Sequence, residues 1–398
     1  MSTPPVPPVG LTATNLNTSK EGTYHTYVLI LSVLFWLVIA ITIFGIFYAV
    51  FIGFFLWLGS GLLAAHLRSE GVRVDEHQLP ELHATFRAVC DQLGVVKMPA
   101  LYVIQAGGVL NAFATRFSGR DFVVVYSDFL EALGPSAPEM KFILGHELGH
   151  IKSRHILKSI FLGPGMFFPL IGPAYRRAWE TSCDRYGAYA AQDVDGSVRA
   201  MLVLSGGRQH GPRLNADAFA GQHQDERGFF VSLHELTSSY PTLTRRVTDL
   251  LSLKSGQPAR KPERSGLAYL VAFFMPGGNL AGGGGVAGAM MVVVIIGLMA
   301  AMAIPAFQKV RQASQQNVCF NNERMLGAAL DQYQVENGKG PANWSDVVGA
   351  EKYVKIMPVC LDGGTYSAHL DKNSSTYVVD CSKHGNFMNP APLGAPQR

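Results

Sequence analysis

His146-Glu147-Leu148-Gly149-His150 lies inside the run 140–153, whose Phe142, Ile143, Leu144 and Leu148 suit a buried helix. Two histidines at i and i+4 share one face of such a helix. Both imidazoles can then bind one Zn²⁺ at about 2.0–2.1 Å, and the adjacent Glu147 reaches a water on that metal as its base. A surface helix with two solvated histidines is the competing reading, and the apolar flanks speak for the buried one. A catalytic zinc takes three protein ligands and keeps one position open. Glu180, in the helical stretch Ala178-Trp179-Glu180-Thr181-Ser182-Cys183-Asp184, is a candidate third ligand, although on spacing alone other carboxylates compete. Asp184 is one turn further along the same face, positioned to accept a hydrogen bond from a ligand histidine's second N–H.

Around this helix, 68–254 has the interleaved charges of a soluble α+β domain. A helical period covers 78–93, through Leu79, Leu82, Phe86 and Val89, and strands are expected at 100–105, 110–115 and 122–126. The apolar stretch 160–174 is broken by Pro164, Pro169 and Pro173 and by Gly163, Gly165 and Gly172. A full crossing there would put His150 and Glu180 on opposite sides of a bilayer, so the stretch reads as an apolar cover that packs on the preceding apolar segment or dips into the interface.

Between Glu21 and Arg68 there is no formal charge. One helix over 26–65 would be about 60 Å long, twice the roughly 30 Å of hydrocarbon. Two crossings with a turn at 45–49 are expected, the alternative being one long span plus an interfacial helix. Residues 1–23, rich in Pro, Thr and Ser, read as a disordered tail. The predicted organisation is a tail (1–23), a transmembrane hairpin (24–66) and a zinc-binding domain (67–254). A linker with a Gly-rich spacer (255–288), an apolar transmembrane helix (289–335), a small α+β domain (336–385) and a Pro-rich tail (386–398) follow.

The whole composition agrees with membrane contact. Only 16% of the 398 residues are charged, and the mean hydropathy is positive. A net charge of +4 with no Lys/Arg block gives no support to a nucleic-acid partner. The five cysteines, at 90, 183, 319, 360 and 381, form no Cys-x-x-Cys pair. An oxidising compartment for the last three would let Cys360 pair with Cys381.

The HExxH motif, the Glu180-x-x-x-Asp184 helix and the upstream Asn111-Ala112-Phe113-Ala114-Thr115 together resemble the M48 peptidases. These include a heat-shock-induced membrane protease and the CAAX prenyl endopeptidase. The resemblance covers roughly 24–253 and implies a gluzincin fold with one Zn²⁺ per chain, held by His146, His150 and Glu180. It also implies that Asn111 contacts substrate, on an edge strand able to pair with an extended peptide. The family's late His-Pro element followed by an arginine matches Tyr240-Pro241 and Arg246 here, so a tyrosine replaces the histidine. A phenol can still donate to a tetrahedral oxyanion, with His234 a weaker substitute, and Arg246 is placed to support the ligands. His155 reads as structural.

The apolar run 290–307 with Cys319-Phe320-Asn321-Asn322-Glu323-Arg324 and Cys360-Leu361-Asp362-Gly363-Gly364-Thr365-Tyr366 resembles a type IV pilin or pseudopilin helix and head. It lacks a basic leader and the early helical glutamate, so an anchor with a small recruiting domain is the preferred alternative. The expected function is a membrane zinc metalloendopeptidase acting on polypeptides in protein quality control, in the bacterial inner membrane. The competing function is a non-catalytic zinc-containing scaffold with membrane or pilus-system partners. Flanking basic residues favour a cytoplasmic peptidase domain and a periplasmic C-terminal domain.

Overall fold

The computed structural model describes residues 5–41, 43–259, 262–275, 284–371 and 374–391; the side chains at 43, 44, 48 and 284–306 lie outside the described set. It divides into two compact units, Met1–Ala289 and Met290–Arg398.

The first unit begins with α1 (Ser19–Ile41), α2 (Ile43–Glu70), β1 (Val72–Arg73), α3 (Pro80–Gln92), β2 (Ala100–Ile104), β3 (Ala112–Phe117) and β4 (Arg120–Tyr126). There follow α4 (Ser127–Leu133), α5 (Pro138–Lys152), α6 (His155–Phe161), α7 (Gly163–Met166), α8 (Ile171–Ala191) and α9 (Val194–His210). Helices α10 (Ala216–Asp225), α11 (Phe229–Thr237), α12 (Leu243–Ser255) and α13 (Gly266–Phe273) complete it.

Helix α1 and the 45–70 part of α2 are each long and apolar enough to cross a membrane. Ile30, Leu34, Val38, Phe47, Phe54 and Trp57 on them are exposed, as side chains facing lipid would be. Residues 45–49 are helical, so the turn expected there is displaced: α1 ends at Ile41 and α2 starts at Ile43. The reason is length. Helix α1 starts at Ser19, and its 23 residues already reach about 35 Å by Ile41.

Residues 5–18 are no disordered tail. Val6 accepts from the Val194 N–H at 2.7 Å, Val9 donates to the Leu253 carbonyl at 2.7 Å, and Thr18 donates to Ser182 Oγ at 3.0 Å. Leu16 is buried and Leu11 packs on the core. The segment is a strap whose docking uses backbone bonds and two leucines, too few to show a period in the sequence.

The sheet order is β1-β2-β4-β3, with β2 parallel to β4 and β3 antiparallel to it at the edge. Successive residues of β4 point to opposite faces. Val123 and Val125 enter the main core with Phe86 of α3 and Met140 and Leu144 of α5, whereas Phe122 and Val124 pack with Ala64 and Leu67 of α2. Both faces are covered, which explains the unbroken apolar run in β4. The cover 160–174 packs on α1: Ser32 Oγ donates to the Leu162 carbonyl, Trp36 Nε1 to that of Phe161, and Val28 is buried with Met166 and Trp179.

Part of the expected linker is also structured. Helix α13 sets Ala268 and Ala272 against Leu236, and Arg264 donates to Glu235 at 2.7 Å, contacts that begin only after the polar stretch that resembled a spacer. The Gly-rich spacer falls largely on 276–283, outside the described residues.

The second unit holds most of α14 (Gly284–Asn337), then α15 (Trp344–Val347) and the antiparallel pair β5 (Tyr366–Asp371) and β6 (Thr376–Cys381). Leu326, Leu330, Val347, Val354 and Val379 form its core. The expected tail beyond 385 folds onto this core up to 391: the Phe387 N–H donates to Glu323 at 3.1 Å and Arg324 lies 3.7 Å over the Phe387 ring. A single aromatic suffices to anchor so short a segment. Cys360 and Cys381 are free thiols rather than the expected pair, and Cys319 and His384 share their pocket.

Candidate active site

The site exists because α5 and α8 touch almost backbone to backbone. A Cβ on Gly145 would lie 2.5 Å from the Ala190 Cβ, and one on Gly187 would lie 2.6 Å from the Phe142 carbonyl oxygen. Gly149 likewise faces the Cα of Cys183. These three glycines let α5 carry His146 and His150 up to the Glu180 face of α8.

His146 Nε2 is 3.3 Å from one Glu180 oxygen, and His150 Nε2 is 3.6 Å from the other. Donors about 2.0–2.1 Å from a tetrahedral zinc would be about 3.3–3.4 Å apart, so this trio fits such an ion. The partners of the opposite ring nitrogens fit it as well. Asp184 Oδ1 is 2.9 Å from His146 Nδ1, and Arg246 clamps Asp184 through Nε at 2.8 Å and Nη2 at 2.6 Å. Burial opposes the Asp184 charge, but the guanidinium holds its carboxyl down to about 2. It therefore accepts from Nδ1–H and leaves His146 Nε2 to the metal. Although burial works against it, Asp184 and Glu180 raise His146 to about 10, so the pocket attracts positive charge that a cation would supply in place of the proton.

A longer relay sets His150. Its Nδ1 is 3.1 Å from His155 Nδ1, and His155 Nε2 is 3.0 Å from Glu21 of α1. Burial pushes both histidines down to about 4, so both are neutral. A carboxylate only accepts, so His155 donates from Nε2 and accepts at Nδ1. His150 must then donate from Nδ1, which leaves its Nε2 lone pair free for a metal. His155 also stacks on Trp179, with centroids 4.4 Å apart and planes inclined by 5°. By sequence alone His155 is a structural residue and Glu21 part of the tail. Only the fold joins them, since 134 residues separate the pair.

Glu21→Ala is expected to weaken zinc binding by about 10–100-fold by releasing this tautomer, while Glu21→Gln, whose amide oxygen still accepts, loses less. Competition against a chromophoric chelator measures the affinity. Equal affinity in both variants would dismiss the relay.

Glu147 follows His146 into a cavity of about 690 Å³ lined by Asn111, Ala114, Arg176, Glu180 and Tyr240 among others. Burial, reinforced by the Glu180 charge, raises its carboxyl to about 7, although the His146 and Arg246 charges and the neighbouring Ala114 amide lower it. The pairing of Ala114 with Val123 puts this amide on edge strand β3, beside the base. Asn111 lines the cavity, and its side chain turns back to the Ala112 N–H at 2.9 Å. Tyr240 is half exposed at the mouth; the Glu180 charge and then burial push its phenol up to about 12, so it remains a donor. Buried Arg177 holds the loop before it through the carbonyls of Leu236 and Ser238, at 3.0 and 2.7 Å. His234 does not line the cavity. Arg176 and Trp179 do, and no spacing rule singles them out.

Comparison with known proteins gives an independent bearing. Residues 76–173 match the model of peptidase family M48. A plastoglobule-localized metallopeptidase 48 of Arabidopsis thaliana chloroplasts is 33% identical over 168 residues, 38% of this chain and 48% of the relative. A protease HtpX homologue of Sulfurihydrogenibium is 32% identical over 162 residues, 39% of this chain and 52% of its own. Another from Thermodesulfovibrio yellowstonii is 39% identical over 87 residues, 22% and 29% of the two chains. The chain thus spans about half the length of the first two relatives. No solved structure matches significantly.

Proposed function

We propose that this chain, whose residues 76–173 match the model of peptidase family M48, is a membrane-bound zinc endopeptidase of that family that hydrolyses peptide bonds in protein substrates. The observation that carries the reading is the convergence of His146, His150 and Glu180 beside buried Glu147, in a cavity flanked by an edge strand. A zinc ion held by that trio supplies Lewis-acid activation of water and of the scissile carbonyl.

The chain's own groups do the rest. Edge strand β3 pairs with an extended substrate backbone and lays its carbonyl carbon over Glu147. Glu147 takes a proton from the attacking water and returns it to the leaving amine, a role suited to a carboxyl whose burial brings it near neutrality. Tyr240 donates a hydrogen bond to the oxyanion, in the place of a histidine. On this account Tyr240→Phe lowers kcat with little change in KM, by roughly 10-fold or more; an unaltered kcat would remove the phenol from the transition state.

Cleavage of unfolded casein by the purified full-length protein should stop on chelation and return with zinc. Cleavage indifferent to chelation would end the metallopeptidase reading. A purely structural zinc, as in a scaffold, has no use for a base beside the metal, so Glu147 favours the enzyme. The exposed apolar faces of α1 and α2 support a place in a membrane, and we extend this to the inner membrane and to quality control of membrane proteins. The proposed cytoplasmic peptidase side is tested by protease accessibility of an epitope in the exposed 106–109 loop in spheroplasts, whose outer membrane has been opened. All five thiols are buried, so alkylation of the folded protein cannot decide it. Cleavage of that epitope from outside would reverse the orientation.

A further inference from the structure

The second unit carries a donor set that the peptidase chemistry does not use. Cys319 comes from α14, Cys360 from the loop before β5, Cys381 from the end of β6 and His384 from the turn after it. Their donor atoms all lie within 4.8 Å of one another. The three thiols are 1–2% exposed and the imidazole 8%, so the cluster is closed to solvent. We propose that Cys319, Cys360, Cys381 and His384 form a second, structural Zn²⁺ site that holds the C-terminal domain together.

The geometry supports a metal in three ways. His384 Nδ1 is 3.4 Å from the Cys360 sulfur and 3.8 Å from that of Cys381. With Zn–S near 2.3 Å and Zn–N near 2.0–2.1 Å, a tetrahedron needs an S···N edge of about 3.5 Å. The other ring nitrogen, Nε2, is 2.9 Å from Asp362 Oδ2, so a carboxylate fixes the tautomer and turns the Nδ1 lone pair toward the sulfurs. Finally, Gly364 makes room. A Cβ there would lie 2.6 Å from the Cys381 sulfur and 3.1 Å from that of Cys360, so the backbone is laid against the sulfurs where only glycine fits.

The local turns have the form that thiolate sites need. Gly363, at φ +72°, donates to the Cys360 carbonyl at 3.0 Å and closes the turn after the first loop ligand. In Cys381-Ser382-Lys383-His384 the backbone of Cys381 and Gly385 exchanges two hydrogen bonds, at 2.8 and 2.9 Å, and folds the histidine back over the cysteine. Tyr366 Oη is 3.3 Å from the Cys319 sulfur and Glu323 Oε1 is 3.7 Å from it. On binding, the thiol protons leave to solvent and three thiolates with one neutral imidazole hold the ion.

Energetics give the site a purpose. Among the described residues, the domain beyond α14 is one short helix, one two-stranded hairpin and a small cluster of apolar side chains. A domain of that size rarely stands on its core alone, and a metal linking the helix, the loop and the hairpin is one of the usual staples.

The test uses the full-length protein loaded with Co²⁺. A sulfur-to-cobalt charge-transfer band in the near ultraviolet is expected, which the peptidase trio cannot produce because it has no sulfur donor. The band should persist in Glu180→Ala, so failure of the peptidase reading does not touch it, and should vanish in Cys360→Ser. Zinc content should be two per chain in the wild type and one in each of these variants. Should Cys360→Ser fail to fold, the band in Cys183→Ala, which removes the sulfur beside His150 and His155, still decides. Wild-type protein without that band, or with an intact mass lighter by two hydrogens from a Cys–Cys bond, overturns the proposal.

Discussion

Glu147→Gln is expected to retain its metal and to lose turnover on casein by at least about 10²–10⁴-fold, the usual contribution of a positioned acid–base group. The amide has nearly the same shape, so the buried pocket is not emptied. What it cannot do is take up a proton. His146, His150 and Glu180 keep their separations of 3.3 and 3.6 Å, so zinc content should be that of the wild type. KM should change little, because strand β3 and the cavity wall that meet the substrate are untouched. Metal analysis beside a steady-state assay reads both quantities. A variant that keeps its zinc and cleaves at the wild-type rate removes Glu147 as the base.

Local rules read the ligand helix well. The i, i+4 histidines and their apolar flanks are a short-range pattern, and α5 extends over Pro138–Lys152 much as the period predicts. Asp184 is one turn beyond Glu180 on the same helix, but spacing alone leaves other carboxylates in competition with Glu180, and only the resemblance to the M48 peptidases singles it out. The N-terminal strap and Glu21 were not readable. Their evidence is a set of backbone bonds and one carboxylate reaching across 134 residues, and no window of sequence contains both ends. The cysteine cluster was missed for a related reason. Cys381-x-x-His384 has zinc-ligand spacing, but a search for cysteine pairs alone passes over it, and Cys319 and Cys360 join it only when α14 and β6 close together. The hairpin turn was misplaced because an uncharged apolar run does not mark where a helix begins; the start at Ser19 sets the count.

Glu180→Ala is expected to lose the peptidase-site metal almost completely. Loss of a group that only supports a ligand typically costs 10–100-fold in affinity, and removal of a ligand itself should exceed that. Glu180 gives one oxygen to each histidine, so truncation takes away the third donor and the negative charge that draws a cation into a pocket shared with Arg246. Its effect on the fold should be small by comparison. The close contact of α5 with α8 rests on Gly145, Gly149 and Gly187, and the Asp184–Arg246 clamp on His146 is left in place. Zinc therefore stabilises the wild type at this site and not the variant: a ligand at 100 times its Kd adds about 2.7 kcal/mol, absent where the site cannot bind. Thermal melts with and without added zinc, beside metal analysis, separate a lost ligand from a damaged fold. The variant should fall by one zinc per chain yet still melt cooperatively. A variant with wild-type zinc content would take Glu180 out of the ligand set, and the third donor would have to be sought among the other carboxylates.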